Sequence, residues 1–279
     1  NIEIICVDDG STDATLSILD DFRNKHPQKI QVIRQERKGA AEARNAGIER
    51  AKGEYIQFLD ADDLLLPEKI ARQVALLERE NGDFVAGAYK RKLLDGKESL
   101  ECPHKDPWTG LLTSKMGITS SNLFRKGAVL SAGGWDRQLK SGQEYDLMFR
   151  ILKNNGRVIF DMELLTLVRQ RTGSISLEDQ KENWDRYVRL RAKMMMSLNE
   201  QGLLTEERKG AGCRSILNAL TMLSGWDMAR AEALFNEFFQ DWIWPRCDMK
   251  LLIKKKLFKI LGFSHLSKCL GRVKRKRVQ

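Results

Sequence analysis

The chain has 279 residues, 42% of them hydrophobic and 31% charged, enough apolar material for a packed core rather than a disordered chain. Its net charge of +10 is lopsided: eleven of the 48 Lys and Arg, and no Asp or Glu, fall in residues 250–279, which leaves the body close to neutral and disfavours a uniformly basic nucleic-acid-binding domain. No apolar run of about 18 residues offers a membrane-spanning helix, and five scattered Cys without a Cys-x-x-Cys pair support neither a zinc ribbon nor a disulfide framework, in keeping with a reducing, cytoplasmic setting.

Strand and helix signals alternate over the first ninety residues. Ile2 to Val7 is a nearly continuous apolar run, as a buried parallel strand should be. Asp8-Asp9-Gly10-Ser11-Thr12-Asp13 follows, rich in turn formers and helix caps. Leu16, Leu19 and Phe22 recur at helical spacing, Ile30 to Ile33 reads as a strand, and Ala40 to Ala51 as a helix stopped by Gly53. Tyr55 to Leu59 is a third strand, ending in Asp60-Ala61-Asp62-Asp63. Pro67 opens a third helix, and Asp83 to Tyr89 is a fourth strand. Such alternation implies crossover connections and a mainly parallel sheet, with ligands at the carboxyl ends of the strands. Both acidic clusters fall at such ends. The chain opens on Asn1-Ile2-Glu3, unlike a signal peptide, and it begins inside a strand, so a preceding strand and helix are expected.

Residues 90–170 are mixed. Gly133-Gly134-Trp135-Asp136 is followed by Gly142-Gln143-Glu144-Tyr145-Asp146, which leads into a helix through Ile151. Two short strands are predicted at Arg157–Phe160 and Leu165–Val168. From about Ser174 only helical spacing remains. The expected organisation is a catalytic domain at 1–173, a helical region at 174–249 and a basic amphipathic tail at 250–279.

Asp60-Ala61-Asp62 places two carboxylates two residues apart in a loop, where they can share a hard cation such as Mg²⁺ or Mn²⁺ with substrate phosphates. The plainer reading is a solvated turn before a helix. Asp8 and Asp9 could likewise cap a helix, but Asp13 is the better cap. A carboxylate buried at a sheet end needs hydrogen-bond donors, and a nucleobase imide N–H would serve. His26, His104 and His265 are too dispersed for a metal cluster, and no P-loop is present.

Val7 to Asp13, Ala43-Arg44-Asn45-Ala46-Gly47, and Gly53-Glu54-Tyr55-Ile56 with Leu59 to Asp63 together resemble the family 2 glycosyltransferases of GT-A fold, in order and in spacing. Gly133 to Asp136, and Glu144 to Leu147 with Arg150, resemble the later part of the same domain, so the likeness covers about residues 1–170. It lacks that family's usual first strand and Tyr-Asn loop. The resemblance implies a Rossmann-like α/β domain, here followed by an α-helical region, and inverting transfer from a nucleotide sugar. It places Asp9 at the base, usually uracil, Asp60 near the ribose and Asp62 on Mn²⁺ or Mg²⁺. Asp8 and Arg44 belong with the nucleotide-sugar contacts, although a salt bridge on a helix is an equal reading for Arg44. The family's Glu-Asp pair reads Gln143-Glu144 here, which gives Glu144 the general-base position, one methylene longer than usual. Asp146 is the alternative base or a first-turn charge favouring the helix dipole. Trp135 and Asp136 are acceptor-site candidates. Trp184, Trp226, Trp242 and Trp244 could stack on sugars or pack between helices.

A Gln-x-x-Arg-Trp motif is missing, which favours a non-processive enzyme. The expected partners are a nucleotide-sugar donor, a glycan or lipid-linked acceptor of bacterial surface polysaccharide or lipopolysaccharide synthesis, and an anionic membrane surface. The apolar and cationic faces of residues 250–279 would dock on that surface as a basic amphipathic helix, which makes the protein peripheral on the inner face of the membrane. No nucleic acid is expected. The competing readings are a sugar nucleotidyltransferase, which would use a similar sheet and acidic site, and a non-enzymatic binding module built on the tail.

Overall fold

The computed structural model describes residues 1–171 and 179–239. The residues 250–279 expected to dock on a membrane, together with Trp242 and Trp244, lie outside the described residues.

The chain divides into two compact units. The first comprises Asn1–Pro103 and Met116–Gln170. It opens with β1 (Ile4–Asp9), α1 (Thr15–Lys25), β2 (Ile30–Gln35), α2 (Ala40–Arg50), β3 (Tyr55–Ile56), β4 (Leu64–Leu65), α3 (Lys69–Glu80), β5 (Phe84–Gly87), β6 (Tyr89–Lys92) and β7 (Glu98–Glu101). The apolar run before the first acidic pair forms β1, in parallel register with β2 from Ile4↔Ile30 to Asp9↔Gln35. The strand expected at Tyr55–Leu59 is a strand only at its first two residues. The one expected at Asp83–Tyr89 breaks at Ala88, and β5 and β6 then belong to different sheets. Pro67 precedes α3 by two residues.

The sheets are mixed rather than mainly parallel. β1–β2, β5–β9 and β6–β10 are parallel, whereas β3–β8, β5–β8, β4–β10 and β6–β7 are antiparallel. The later strands are β8 (Leu123–Arg125), β9 (Val158–Asp161) and β10 (Thr166–Arg169). β8 threads between β3 and β5 and reverses the direction there, a partner the local alternation did not reveal. Helix α3 lays Leu76 and Leu77 on Val85, Leu123 and Ile159, and this buried cluster is the core behind the sheet.

The second unit comprises His104–Lys115 and the described residues from Arg171 onward. Its first segment carries α4 (Pro107–Leu112), an excursion from the middle of the first unit that a reading along the chain did not anticipate. Pro107 is free to start α4 because its missing N–H would have no intrahelical partner, and the Asp106 side chain accepts from Thr109 N at 2.9 Å as the cap. In the first unit the chain goes on through α5 (Lys126–Ser131) and α6 (Gln143–Lys153). In the second it continues through α7 (Gln180–Glu200), α8 (Glu206–Ser224) and α9 (Met228–Phe239). Arg208 of α8 forks onto both oxygens of Asp106, at 3.0 and 2.7 Å. Arg230 of α9 joins Glu182 and Asp185 of α7. Trp184 packs edge-on against Tyr187, whereas Trp226 is exposed. Among the described residues no helix is long and apolar enough to cross a membrane.

Candidate active site

The site grows from the end of β1. Asp9 is the last residue of that strand. Its Oδ1 accepts from Gln35 Nε2 at 2.7 Å and from Lys38 N at 2.8 Å, and its Oδ2 from Gly39 N at 2.9 Å. Burial acts to raise the carboxyl, but these backbone and side-chain donors, with the charge of Arg37, hold it below the usual carboxylate range. A carboxylate has about four lone-pair positions, so three donors leave one for a ligand. Gly39 caps α2, and the bond therefore ties that helix to β1. Neighbouring Asp8 does something else. It is buried, its Oδ2 accepts from Ser11 N at 3.3 Å across the turn, and its Oδ1 has no partner among the described residues. Its burial fits shaping the turn, not the expected ligand contact.

From the second turn of α2, Arg44 bridges two elements. Its Nη2 donates to Asp60 Oδ1 at 2.8 Å and its Nη1 to Gln143 Oε1 at 2.8 Å. The acidic turn after β3 and the N-terminus of α6 are thus joined by one guanidinium, which lies 4.5 Å over the ring of Trp135. Glu144 follows Gln143 in the first turn of α6, half-buried. It is near enough to Tyr89 that its charge adds to the burial that raises that phenol, against the opposing charge and hydrogen bond of Arg91.

The acidic turn sorts its carboxylates by environment. Asp60 faces Arg44. Asp63 is buried, and burial raises its carboxyl; the Ser120 hydroxyl opposes this, while the charges of Asp60 and Asp62 add to it. Asp62 is half-buried, and its carboxylate has no hydrogen-bond partner among the described residues; only its backbone oxygen is engaged, by Arg169 Nε at 2.6 Å. Behind the turn lies a buried polar layer. Ser120 Oγ accepts from Asp60 N at 3.1 Å, Gln57 Nε2 donates to Ser120 O at 2.9 Å, and Gln57 Oε1 takes the Lys69 ammonium.

Lys69 was not expected from the sequence. Burial pulls it from 10.5 down to about 7, with the charge of Asp161 opposing. Between about pH 7 and 10.5 the unfolded chain holds this proton and the folded chain does not, so stability should climb with pH across that window. Melting curves should show Tm rising from neutral pH toward pH 9.5, and Lys69→Met should flatten the rise. An unchanged slope in the variant would assign the dependence to another group.

Two expectations need correction. Trp135 is 1% exposed, with Arg44 over its ring and Phe58 edge-on at 4.9 Å, so in this structure no face of the indole is open to a sugar. Asp146 is 3% exposed, and its Oδ2 is bound by Arg150 Nε at 2.8 Å; Arg150 also donates to Ala132 O. A buried, paired carboxylate braces α6 and does not fit the alternative base. The i, i+4 spacing on a helix could have signalled this pair. Asp136 is half-buried and accepts from Gln138 N at 2.8 Å, on the wall of a cavity that it shares with Asn45, Glu49 and Arg150.

Known proteins resemble this chain in sequence and in fold. Residues 1–126 match the family model described as glycosyl transferase family 2. An uncharacterized glycosyltransferase of Rickettsia typhi is 30% identical over 217 residues, 70% of this chain and 65% of that protein. The chain S. aureus TarS 1-349, solved in complex with UDP-GlcNAc, superposes with a TM-score of 0.64 at 19% identity, covering 85% of this chain and 72% of that one. The mannosyltransferase PcManGT of Pyrobaculum calidifontis, solved with GDP-Man and Mn²⁺, gives a TM-score of 0.50 at 18% identity over 98% of this chain and 77% of that one. The first curated relatives are spanned over only 30% and 65% of their own lengths. The relatives it matches are named glycosyltransferases, not nucleotidyltransferases or binding modules. With its acidic turns and its arginine bridge, the first unit carries the stretch that matches the glycosyl transferase family 2 model, and the chain shares its fold with the glycosyltransferases it superposes on.

Proposed function

We propose that the chain moves a sugar from a UDP-sugar, with inversion, to a glycan or lipid-linked acceptor in the synthesis of a bacterial surface polysaccharide or lipopolysaccharide. The observation that carries this reading is the Arg44 bridge. It holds the acidic turn against the helix that bears Glu144, while α2 itself is fastened to the Asp9 carboxylate through Gly39. Asp9, the acidic turn and the start of the helix that bears Glu144 belong to one hydrogen-bonded frame, which supports giving them the base, the sugar-diphosphate and the acceptor proton on this reading.

The open position on Asp9 suits the imide N–H of uracil. Asp60 stands near the ribose. Glu144 takes the proton from the attacking hydroxyl, which approaches the anomeric carbon on the face opposite the diphosphate. Only one proton acceptor is required, because a diphosphate leaves as an anion; the paired carboxylates of a glycosidase have no counterpart in this chemistry.

The residues fit a divalent cation. Three carboxylates crowd one turn, and Asp62 alone of them lacks a side-chain partner among the described residues. No group of three or more His, Cys, Asp or Glu among the described residues could enclose a metal. Mg²⁺ and Mn²⁺ are commonly held by one or two carboxylates plus substrate phosphates, and Asp62 would be such a ligand. When bound, the ion supplies positive charge to the leaving diphosphate. The cationic and apolar residues of 250–279 are the basis for proposing contact with an anionic membrane surface, where a lipid-linked acceptor would be held.

Thermal unfolding in the presence of UDP, GDP and their sugars, each with and without Mn²⁺, tests the reading. At about 100 times Kd, UDP with Mn²⁺ should raise Tm by roughly 5–10 °C, and GDP should do less. A larger shift with GDP would move the donor to a GDP-sugar, and no shift with any nucleotide would end the proposal.

A further inference from the structure

Trp135 and Asn45 are left without a part in the chemistry, yet they are built around Arg44. Asn45 grips the backbone of Trp135 at both ends of its side-chain amide: Trp135 N donates to Asn45 Oδ1 at 2.9 Å, and Asn45 Nδ2 donates to Trp135 O at 2.8 Å. The preceding Gly134 has φ +70°, and a Cβ there would come within 2.7 Å of Asn45 Oδ1. The indole so fixed lies under the Arg44 guanidinium at 4.5 Å and meets Phe58 edge-on at 4.9 Å. Phe58 in turn packs on Phe124, and Phe124 stacks on Phe84 in the centre of the sheet. The indole N–H is buried and has no acceptor among the described residues, so what Trp135 offers the guanidinium is the face of its ring.

We infer that Trp135 and Asn45 are positioning residues that hold the Arg44 guanidinium in its bridging pose for the nucleotide diphosphate. A flexible arginine would otherwise have to be ordered at the moment of binding. A cation over a tryptophan face gains electrostatic attraction, and the planar group can then reach Asp60 and Gln143 together. This rests on the donor-site reading given above.

A mutant cycle on the full chain separates positioning from mere packing. UDP is titrated calorimetrically with Mn²⁺ (or GDP, if that is what the wild type binds) into wild type, Arg44→Ala, Trp135→Leu, Asn45→Ala and each double variant. Arg44→Ala should weaken binding roughly tenfold or more. Trp135→Leu should weaken it roughly 3- to 30-fold, and Asn45→Ala should follow in the same direction. Neither should weaken it further in the Arg44→Ala background, because both act through the lost guanidinium. Trp135→Phe, which keeps a ring face and drops the unpaired N–H, should bind within about twofold of wild type. If Trp135→Leu does not fold, Asn45→Ala carries the same cycle. Additive losses, or wild-type affinity in folded Trp135→Leu and Asn45→Ala beside a weakened Arg44→Ala, overturn the inference and leave the donor site standing. Wild-type affinity in Arg44→Ala overturns both.

Discussion

Glu144→Gln should lower kcat by roughly 10² to 10⁴ while leaving nucleotide-sugar binding nearly unchanged, the usual cost of removing a positioned general base. The substitution keeps the shape of the side chain and the start of α6 intact. Gln143, which carries the contact to Arg44, is untouched. Asp146 cannot readily substitute, because it is buried and already paired with Arg150. Steady-state rates at saturating donor, together with a separate measurement of donor affinity, decide the matter. If Glu144→Gln turns over like wild type at saturation but binds donor weakly, the residue is a binding group and the base lies elsewhere.

Asp62→Ala should be nearly as damaging, with transfer reduced roughly 10²-fold or more and the effect of Mn²⁺ on UDP affinity gone. The fold should survive, since the Asp62 carboxylate is half-buried and makes no hydrogen bond among the described residues. Asp63→Ala offers the contrast. Asp63 is buried and accepts from Arg169 N at 3.4 Å as well as from Ser120, so its loss should show first as a lower Tm. Full activity of Asp62→Ala, or of the wild type in EDTA, would falsify the metal assignment.

Much of the frame was legible in the residues because it is local. An apolar run followed by Asp-Asp-Gly-Ser makes a strand that ends in a turn, and β1 and Asp9 lie where that logic puts them; the burial expected of the run is not met, since Ile4 is exposed and Ile5 to Val7 are half-buried. The bridge from Arg44 to Asp60 spans 16 residues and leaves α2 for the turn after β3, so it is not the salt bridge on a helix that the residues suggest; the same arginine's second bond, to Gln143, spans 99 residues and carries no local signal. Trp135 was misjudged for a physical reason. A tryptophan after two glycines reads as a loop residue, but those glycines with positive φ let the backbone turn the indole inward, and only the packing of Phe58 reveals it. Lys69 carries no such signal either: one lysine near Pro67 reads as an ordinary solvated charge, and only the folded chain buries it against Gln57 and the Asn122 carbonyl.

The contact between Asn45 and Gly134 has a consequence for how this chain can vary. Any side chain at position 134 would need a backbone conformation that L-residues rarely adopt, and its first carbon would intrude on the Asn45 amide. Replacing Asn45 would relieve the collision but release the Trp135 backbone. The Ala-Arg-Asn and Gly-Gly-Trp segments, about ninety residues apart, are therefore constrained by each other. Among homologues, substitutions at the two positions should arrive together or not at all, and a recombinant that takes one segment from a distant relative should lose donor affinity until the other is supplied from the same parent.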